Sequence, residues 1–346
     1  MNFKKIAIAA SVLLIAGLIV YGYLLYRDIF SPNTRFSEKE VAIYIPTNSD
    51  FNQVKTIVEP YVENMDRFVS VAGKKSYPQN VRAGKFVLKQ GMNSNDLVSA
   101  LRQPVPVRVS FNNQERLEDL AGRIAAQIEA DSVSLLESFY DERFLAHNEL
   151  TRDNVLSMFI PNSYEFFWNT SALQFRDRME KEYRKFWSQA RLDKAAALGL
   201  TPLEVSALAS IVHKETVKID ERPRVAGVYL NRLEKGMKLE ADPTVIYAIK
   251  RNNNDFGIQI KRVLNRDLLT ESPYNTYQNT GIPPGPIAMP DISAIDAVLN
   301  PESHNYIYFC ASVENFGYHE FAVTHAQHER NRQKYVRWIS QQGIKR

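Results

Sequence analysis

From Ile6 to Tyr26 the chain reads IAIAASVLLIAGLIVYGYLLY without one charged residue. As a helix this run measures about 30 Å, the thickness of a bilayer's hydrocarbon core. Lys4 and Lys5 precede it and Arg27 follows. A cleavable signal peptide shares the basic start, but its apolar core is shorter and ends in a small-x-small site. Here the end is YGYLLYRD, bulky and aromatic. The expectation is an uncleaved, single-pass anchor in the cytoplasmic (inner) membrane, touching lipid through residues 6–26. The lysines would lie inside and Tyr21, Tyr23 and Tyr26 at the outer interface. A buried core helix is the alternative. If the anchor reading holds, the bulk of the chain is extracytoplasmic, where nucleotide-driven chemistry is not expected.

The rest has globular composition: of 346 residues, 45% are apolar and 24% charged, enough for two or three folded units. A single cysteine, Cys310, excludes an internal disulfide. The net charge of +4 is dispersed, too weak for a nucleic-acid footprint, so no nucleic-acid partner is expected. The phosphate-cradling GxxxxGK[ST] and GxGxxG loops are absent, as are GxSxG and HExxH. His325 and His328 lie three apart and could share a helix face, but two histidines do not make a metal site. No metal and no dissociable cofactor is expected.

The fold class expected is α+β. Residues 1–30 are the cytoplasmic tip and anchor, and 31–40 (SPNTRFSEKE) a polar linker. Residues 41–111 form a small module: strands at VAIYIP and around Phe86 and Leu88, a helix after Asp50, a second capped by Ser94, and the alternating strand VPVRVSF. Residues 112–346 make a larger mixed α+β domain. Its early part carries helical patterns from Leu117 and Arg176, with the aromatic segment MFIPNSYEFFWNTSA between them. Cys310 falls on an inner strand from Tyr306 and is expected to be structural.

The densest chemistry begins at Thr201. Thr201, Pro202 and Glu204 form a capping box with proline at the first helical position. Val205, Leu208, Ile211 and Val212 then mark an apolar stripe, and Glu215 falls inside it. A carboxylate on a buried face is the exception in proteins. It either pairs with an arginine such as Arg222 or Arg224, or stays unpaired, in which case desolvation raises its pKa and equips it as a general acid.

These residues carry a resemblance. SALASIVHKETVKIDERPRVAGVYLNRL, then GMKLEADPTVIYAI, SPYNTYQNTGIPPGPIAMP and NYIYFCASVENFGYHEFAVTHAQHERN, with IPNSYEF upstream, resemble the signature of the endolytic murein transglycosylases, the YceG-like family. The strong match spans about residues 155–330, and residues 41–111 loosely resemble the family's LysM-like subdomain. Tyr308, Phe309, His319, Phe321, Thr324 and His328 stand where the family has similar residues. One departure is His213, where members commonly carry a second acidic residue.

The resemblance implies a lyase that cuts within peptidoglycan glycan strands at the MurNAc–GlcNAc bond, leaving 1,6-anhydroMurNAc ends, with the catalytic acid at Glu215. A muramidase-type hydrolase or a non-catalytic glycan-binding scaffold is the alternative. A hydrolase needs a second carboxylate. Asp220, Glu221 and Asp242 are the candidates, with Asp220 readable as a helix cap and Asp242 as a turn residue that lines the cleft. Asn231, Arg232, Asp242, Tyr274, Asn275, Thr276 and Tyr277 are the expected substrate-binding residues, although Tyr274 and Tyr277 could equally pack their loop. The proline-rich IPPGPIAMP reads as a stiff cleft wall. The partners implied are glycan strands and, by resemblance, penicillin-binding proteins or other glycan polymerases. If the small module holds Glu215 at a set distance from the membrane, linker length would govern product length.

Overall fold

A computed structural model describes residues 3–341. The fold is α+β, and its residues divide into two compact units. Among the described residues, the first comprises 3–109 with 127–130 and 164–171, the second 110–126, 131–163 and 172–341.

The first unit opens with α1 (Phe3–Phe30), 28 residues whose aliphatic side chains are exposed from Ile6 to Leu24, Leu13 to 73%. It is the one described helix that by itself is long and apolar enough to cross a membrane. Next come β1 (Glu40–Ile45), α2 (Phe51–Val58), α3 (Met65–Lys74), β2 (Gly84–Lys89), α4 (Ser94–Ala100) and β3 (Pro106–Phe111). β1 and β2 are antiparallel, with Ile43 opposite Phe86 and Val41 opposite Leu88. Ile43, Ile45, Phe86 and Leu88 point inward onto Val54, Phe68 and Leu97, so strand alternation builds the core. α4 is capped by Asn93, which accepts a bond from the Asp96 amide, one residue before the expected Ser94. Ser94 is instead buried and accepts a hydrogen bond from the Asn33 side chain.

The stretch expected as a linker is held down. Asn33 is fully buried, donates also to the Asn64 carbonyl and accepts from the Asn64 amide. Pro32 and Thr34 form bridges with Asn93 and Val62. Each of those bonds would have to break before residues 31–39 could act as a free tether.

The second unit is mainly helical: α5 (Leu117–Ala125), α6 (Ser132–Phe139), α7 (Glu142–His147), α8 (Ala172–Phe186), α9 (Gln189–Ala197), α10 (Pro202–Glu215), α11 (Arg222–Glu234), α12 (Asp242–Asn252), α13 (Ile292–Leu299) and α14 (His325–Gln341). Most of β4 (Asn162–Phe167) belongs to the first unit, where residues 164–167 lie with 106–109 of β3, its pairing partner; in the second unit β5 (Tyr308–Ala311) pairs with β6 (His319–Ala322). The charged run from Arg176, continuous as a pattern, breaks at buried Trp187 into α8 and α9. α10 carries the expected capping box, and every residue from Val205 to Val212 is buried, not one stripe. Ala207, Ala209, Ser206 and Ser210 let α11 and α13 approach closely, and Val225, Ala226, Ile295 and Val298 complete the core. An all-round buried helix has no solvent face to read in the sequence.

IPPGPIAMP is not an open wall. Pro283 and residues 285–290 are buried, the Ile287 amide donates to Ser210 on α10, and the Met289 amide donates to the Gln114 carbonyl. Backbone passes so near Gly285 that an added Cβ would lie 1.9 Å from the Asp153 carbonyl oxygen. The prolines allow the segment to run through the core because they have no amide to satisfy.

Candidate active site

Glu215 is the last residue of α10, where the unpaired carbonyls of a helix end already disfavour an anion. It is partly buried in the wall of a cavity of about 420 Å³. The only hydrogen bond of its side chain among the described residues comes from the Tyr229 hydroxyl on α11, 2.7 Å from Oε1. Among the described residues no cation lies within ion-pairing distance. Arg222 donates to Asp291 at 3.0 Å and to Ser293 at 2.6 Å, and Arg224 to Glu302 at 2.9 Å. The structural partners considered for Glu215 are therefore committed elsewhere. Its carboxyl stands raised from 4.5 to about 7: burial, the largest cause, and the Asp242 charge push it up, while Tyr229 and His319 pull it down.

Its neighbours in α10 turn away. His213 Nδ1 lies 3.2 Å from Asp291, and burial holds its pKa below the usual value. Lys214 donates at 2.7 Å to Glu115, whose second oxygen receives Lys250 of α12 at 2.8 Å.

The opposite wall comes from the hairpin β5–β6 and the start of α14. Glu221 is buried, and its carboxylate receives both the His319 amide at 2.7 Å and His319 Nδ1 at 2.9 Å. Burial alone would raise Glu221, but these bonds hold it below its ordinary value. His319 is thereby fixed in the cavity wall near Glu215. Tyr308 stacks on His328 with centroids 5.2 Å apart, and His328 Nδ1 is buried without a hydrogen-bond partner among the described residues. Cys310 lies on β5, its thiol pushed up to about 11 by burial, which suppresses the reactive thiolate. Among the described residues no cluster could hold a metal ion.

The eight residues singled out by sequence fall into two groups. Glu215, Arg232, Asp242 and Tyr277 line the cavity. Asp242 accepts the Tyr277 hydroxyl at 2.7 Å, and Arg232 bonds Glu240 and the carbonyls of Lys238, Leu239 and Ile307. Glu240 is held at φ 50°, a backbone region few non-glycine residues occupy. The other four lie outside the cavity. Asn231 fastens the carbonyls of His304 and Tyr306. Tyr274, Asn275 and Thr276 are buried, bonded to Asp153, to the Leu268 and Thr270 carbonyls, and to the Ala241 amide. Their polarity satisfies loop backbone instead of facing the cavity. Among the other carboxylates, Asp220 caps nothing and accepts the Tyr318 hydroxyl at 3.1 Å. Sequence reasoning missed Tyr229 and, although it named Glu221 and His319 separately, their pairing.

A polar groove holding one unpaired acid whose pKa is near neutrality is the equipment of a general acid–base enzyme. The chain belongs to the YceG-like family, whose model matches residues 43–334. It is 26% identical to the endolytic murein transglycosylase of Bacillus subtilis, over 94% of this chain and 91% of that one. A Streptococcus pneumoniae protein of the same name is 24% identical, and the match covers 91% of this chain and 62% of the longer relative. The crystal structure of a yceG-like protein from Listeria monocytogenes superposes with a TM-score of 0.57 at 26% identity, covering 85% of this chain and 99% of that one.

Proposed function

We propose that this chain is a membrane-anchored endolytic lytic transglycosylase that cleaves MurNAc–GlcNAc bonds within peptidoglycan strands, terminating their elongation. The observation that carries the reading is Glu215, a desolvated carboxyl bonded by Tyr229, unmatched by any cation and raised to about 7. At neutral pH about half of such groups hold a proton ready for a glycosidic oxygen. As that bond breaks, the muramyl ring gains oxocarbenium character. The Glu215 carboxylate then takes the proton of the same sugar's C6 hydroxyl, which closes on C1 and gives the 1,6-anhydro end. One acid–base group suffices and no water enters. Arg232, Asp242 and Tyr277 supply polar and aromatic contacts to the N-acetyl sugars. Helix α1 holds the enzyme in the inner membrane with its N-terminus inside, and the first unit acts as a LysM-like glycan-binding module. Glycan polymerases or penicillin-binding proteins, whose new strands would be the substrate, are its expected partners. The name borne by the Bacillus and pneumococcal relatives supports the reading.

A second reading rests on Asp242, which shares the cavity with Glu215 and shifts it electrostatically. With Asp242 as base, a water could attack C1 and the enzyme would be a muramidase. Mass spectrometry of muropeptides released by the full-length chain decides. Anhydromuramyl ends that vanish in Glu215→Gln support the lyase, reducing ends support the hydrolase, and no product from folded protein leaves a glycan-binding scaffold.

A further inference from the structure

The second unit has another cleft. A cavity of about 430 Å³ opens among α5, α12 and residue 274, and adjoins one of about 470 Å³ beside α6, the two sharing Glu118, Tyr140 and Arg152. Three arginines rest on aromatic rings along it, each 4.7 Å from the centroid: Arg116 on Phe256, Arg251 on Tyr274 and Arg152 on Tyr140. Two of these guanidinium groups are neutralised within the chain, Arg116 by Asp119 and Arg251 by Asp153. Arg152 is not: among the described residues it has no carboxylate within ion-pairing distance and no hydrogen-bond acceptor. Glu118, across the shared part of the groove, likewise has no ion pair. The groove thus offers one free fork of donors, one free carboxylate, an aromatic floor at one end, and Val133 and Leu136 at the other.

We propose that this groove binds the short peptides carried by peptidoglycan strands, with Arg152 taking a peptide carboxylate and Glu118 a peptide amine. A neutral sugar would use the aromatic floor but neither free charge, whereas such a peptide has both charges and apolar side chains. A guanidinium held flat on a ring is preorganised for a bidentate carboxylate. Tyr247 and Arg251 in this groove follow Asp242 of the first cavity along one helix, five and nine residues on and so on its opposite face, with about 8 and 14 Å of axial rise between them. The peptide held there would therefore belong to a strand that wraps past this helix. The inference rests on peptidoglycan being the substrate.

The test compares initial rates of the full-length chain on strands with intact peptides and on strands stripped by an amidase, for wild type, Arg152→Ala and Glu118→Gln. Arg152 is exposed and makes no ion pair among the described residues, so its removal breaks only its contact with the Tyr140 ring, and thermal melts check that the variant is folded. Expected is a fall of about tenfold in kcat/KM for Arg152→Ala on intact strands, carried by KM, and no change on stripped strands. Equal effects on both substrates, or none, overturn the proposal. Calorimetry supplies an arm independent of catalysis, with Glu215→Gln protein and a synthetic tetrapeptide with free termini. Saturable binding that weakens about tenfold with Arg152→Ala, or when the peptide's carboxylates are amidated, supports the site, and absence of binding overturns it. If the wild type cleaves neither substrate, the catalytic reading fails and the calorimetric arm alone decides.

Discussion

Tyr229→Phe isolates the group that tunes Glu215. The substitution keeps the ring, and with it the edge contact to Phe309 at 5.8 Å, and deletes one hydroxyl 2.7 Å from Oε1. A hydrogen bond to a charged acceptor contributes about 1.5–3 kcal/mol, of which the protonated acid keeps part. A differential loss of about 1.4 kcal/mol corresponds to one pH unit. Glu215 stands at about 7 with the bond in place, so the alkaline limb of kcat/KM should move from about 7 to about 8. At pH 8 the protonated share of a group at 7 is about a tenth, and of one at 8 about a half, a gain of roughly fivefold. A weaker acid and looser positioning offset that gain in absolute rate, so the limb is the quantity to read. The assay is release of anhydromuramyl products between pH 5 and 9. A limb that stays put or moves toward acid would refute the claim that Tyr229 acts on Glu215.

The same limb has further handles of known sign. Asp242→Asn removes an anion that raises Glu215 and should shift the limb toward acid, while His319→Gln removes a favourable partner and should shift it toward base; parallel shifts would contradict the assignment. Stability should respond to Glu215 too. Because its folded pKa lies above the unfolded 4.5, the folded state binds the proton more tightly, and stability is lost as pH rises from about 4.5 through about 7. Allowing for partial exposure, that loss is about 2 kcal/mol, so Glu215→Gln should raise Tm by a few degrees at pH 8 and not at pH 4, as thermal melts would show. Gly285→Ala must displace the backbone at Asp153 and should cost about 3 kcal/mol, measured by urea unfolding; a loss below 1 kcal/mol would mean that the segment is not packed as described.

What could be read from sequence follows from what is local. The long apolar helix, the Thr201 capping box and the alternation of β1 and β2 depend on neighbours within a few residues, and each appears where expected. Glu215 could be found because a charge interrupted an apolar series. Tyr229 could not, since a tyrosine in VAGVYLNRL has no mark that sets it facing a helix one turn of chain away. Glu221, a candidate second carboxylate in the polar string IDERPR, could not be read as buried, because that depends on His319, 98 residues on, satisfying both of its oxygens. Within YNTYQNT, Asn275 and Thr276 misled in the opposite way. Polar side chains suggest ligand contact, but in a loop with no regular backbone pairing they are needed to satisfy the chain itself, as Asn275 does with two carbonyls. The break between α8 and α9 went unseen because both flanks are strong helix formers and the cause, a buried Trp187, is tertiary.

Glu115 stands outside the cavity that holds Glu215, yet its two oxygens tie Lys214, next to Glu215, to Lys250 on the helix that begins with Asp242. In a pair of glycan-cutting carboxylates, the gap between them decides whether a water fits and hence which product forms. Under the second reading, in which Asp242 works with Glu215, a spacer about a hundred residues upstream in sequence ties together the helices that carry the two, and a substitution at Glu115 would be expected to alter the product while leaving both carboxylates in place.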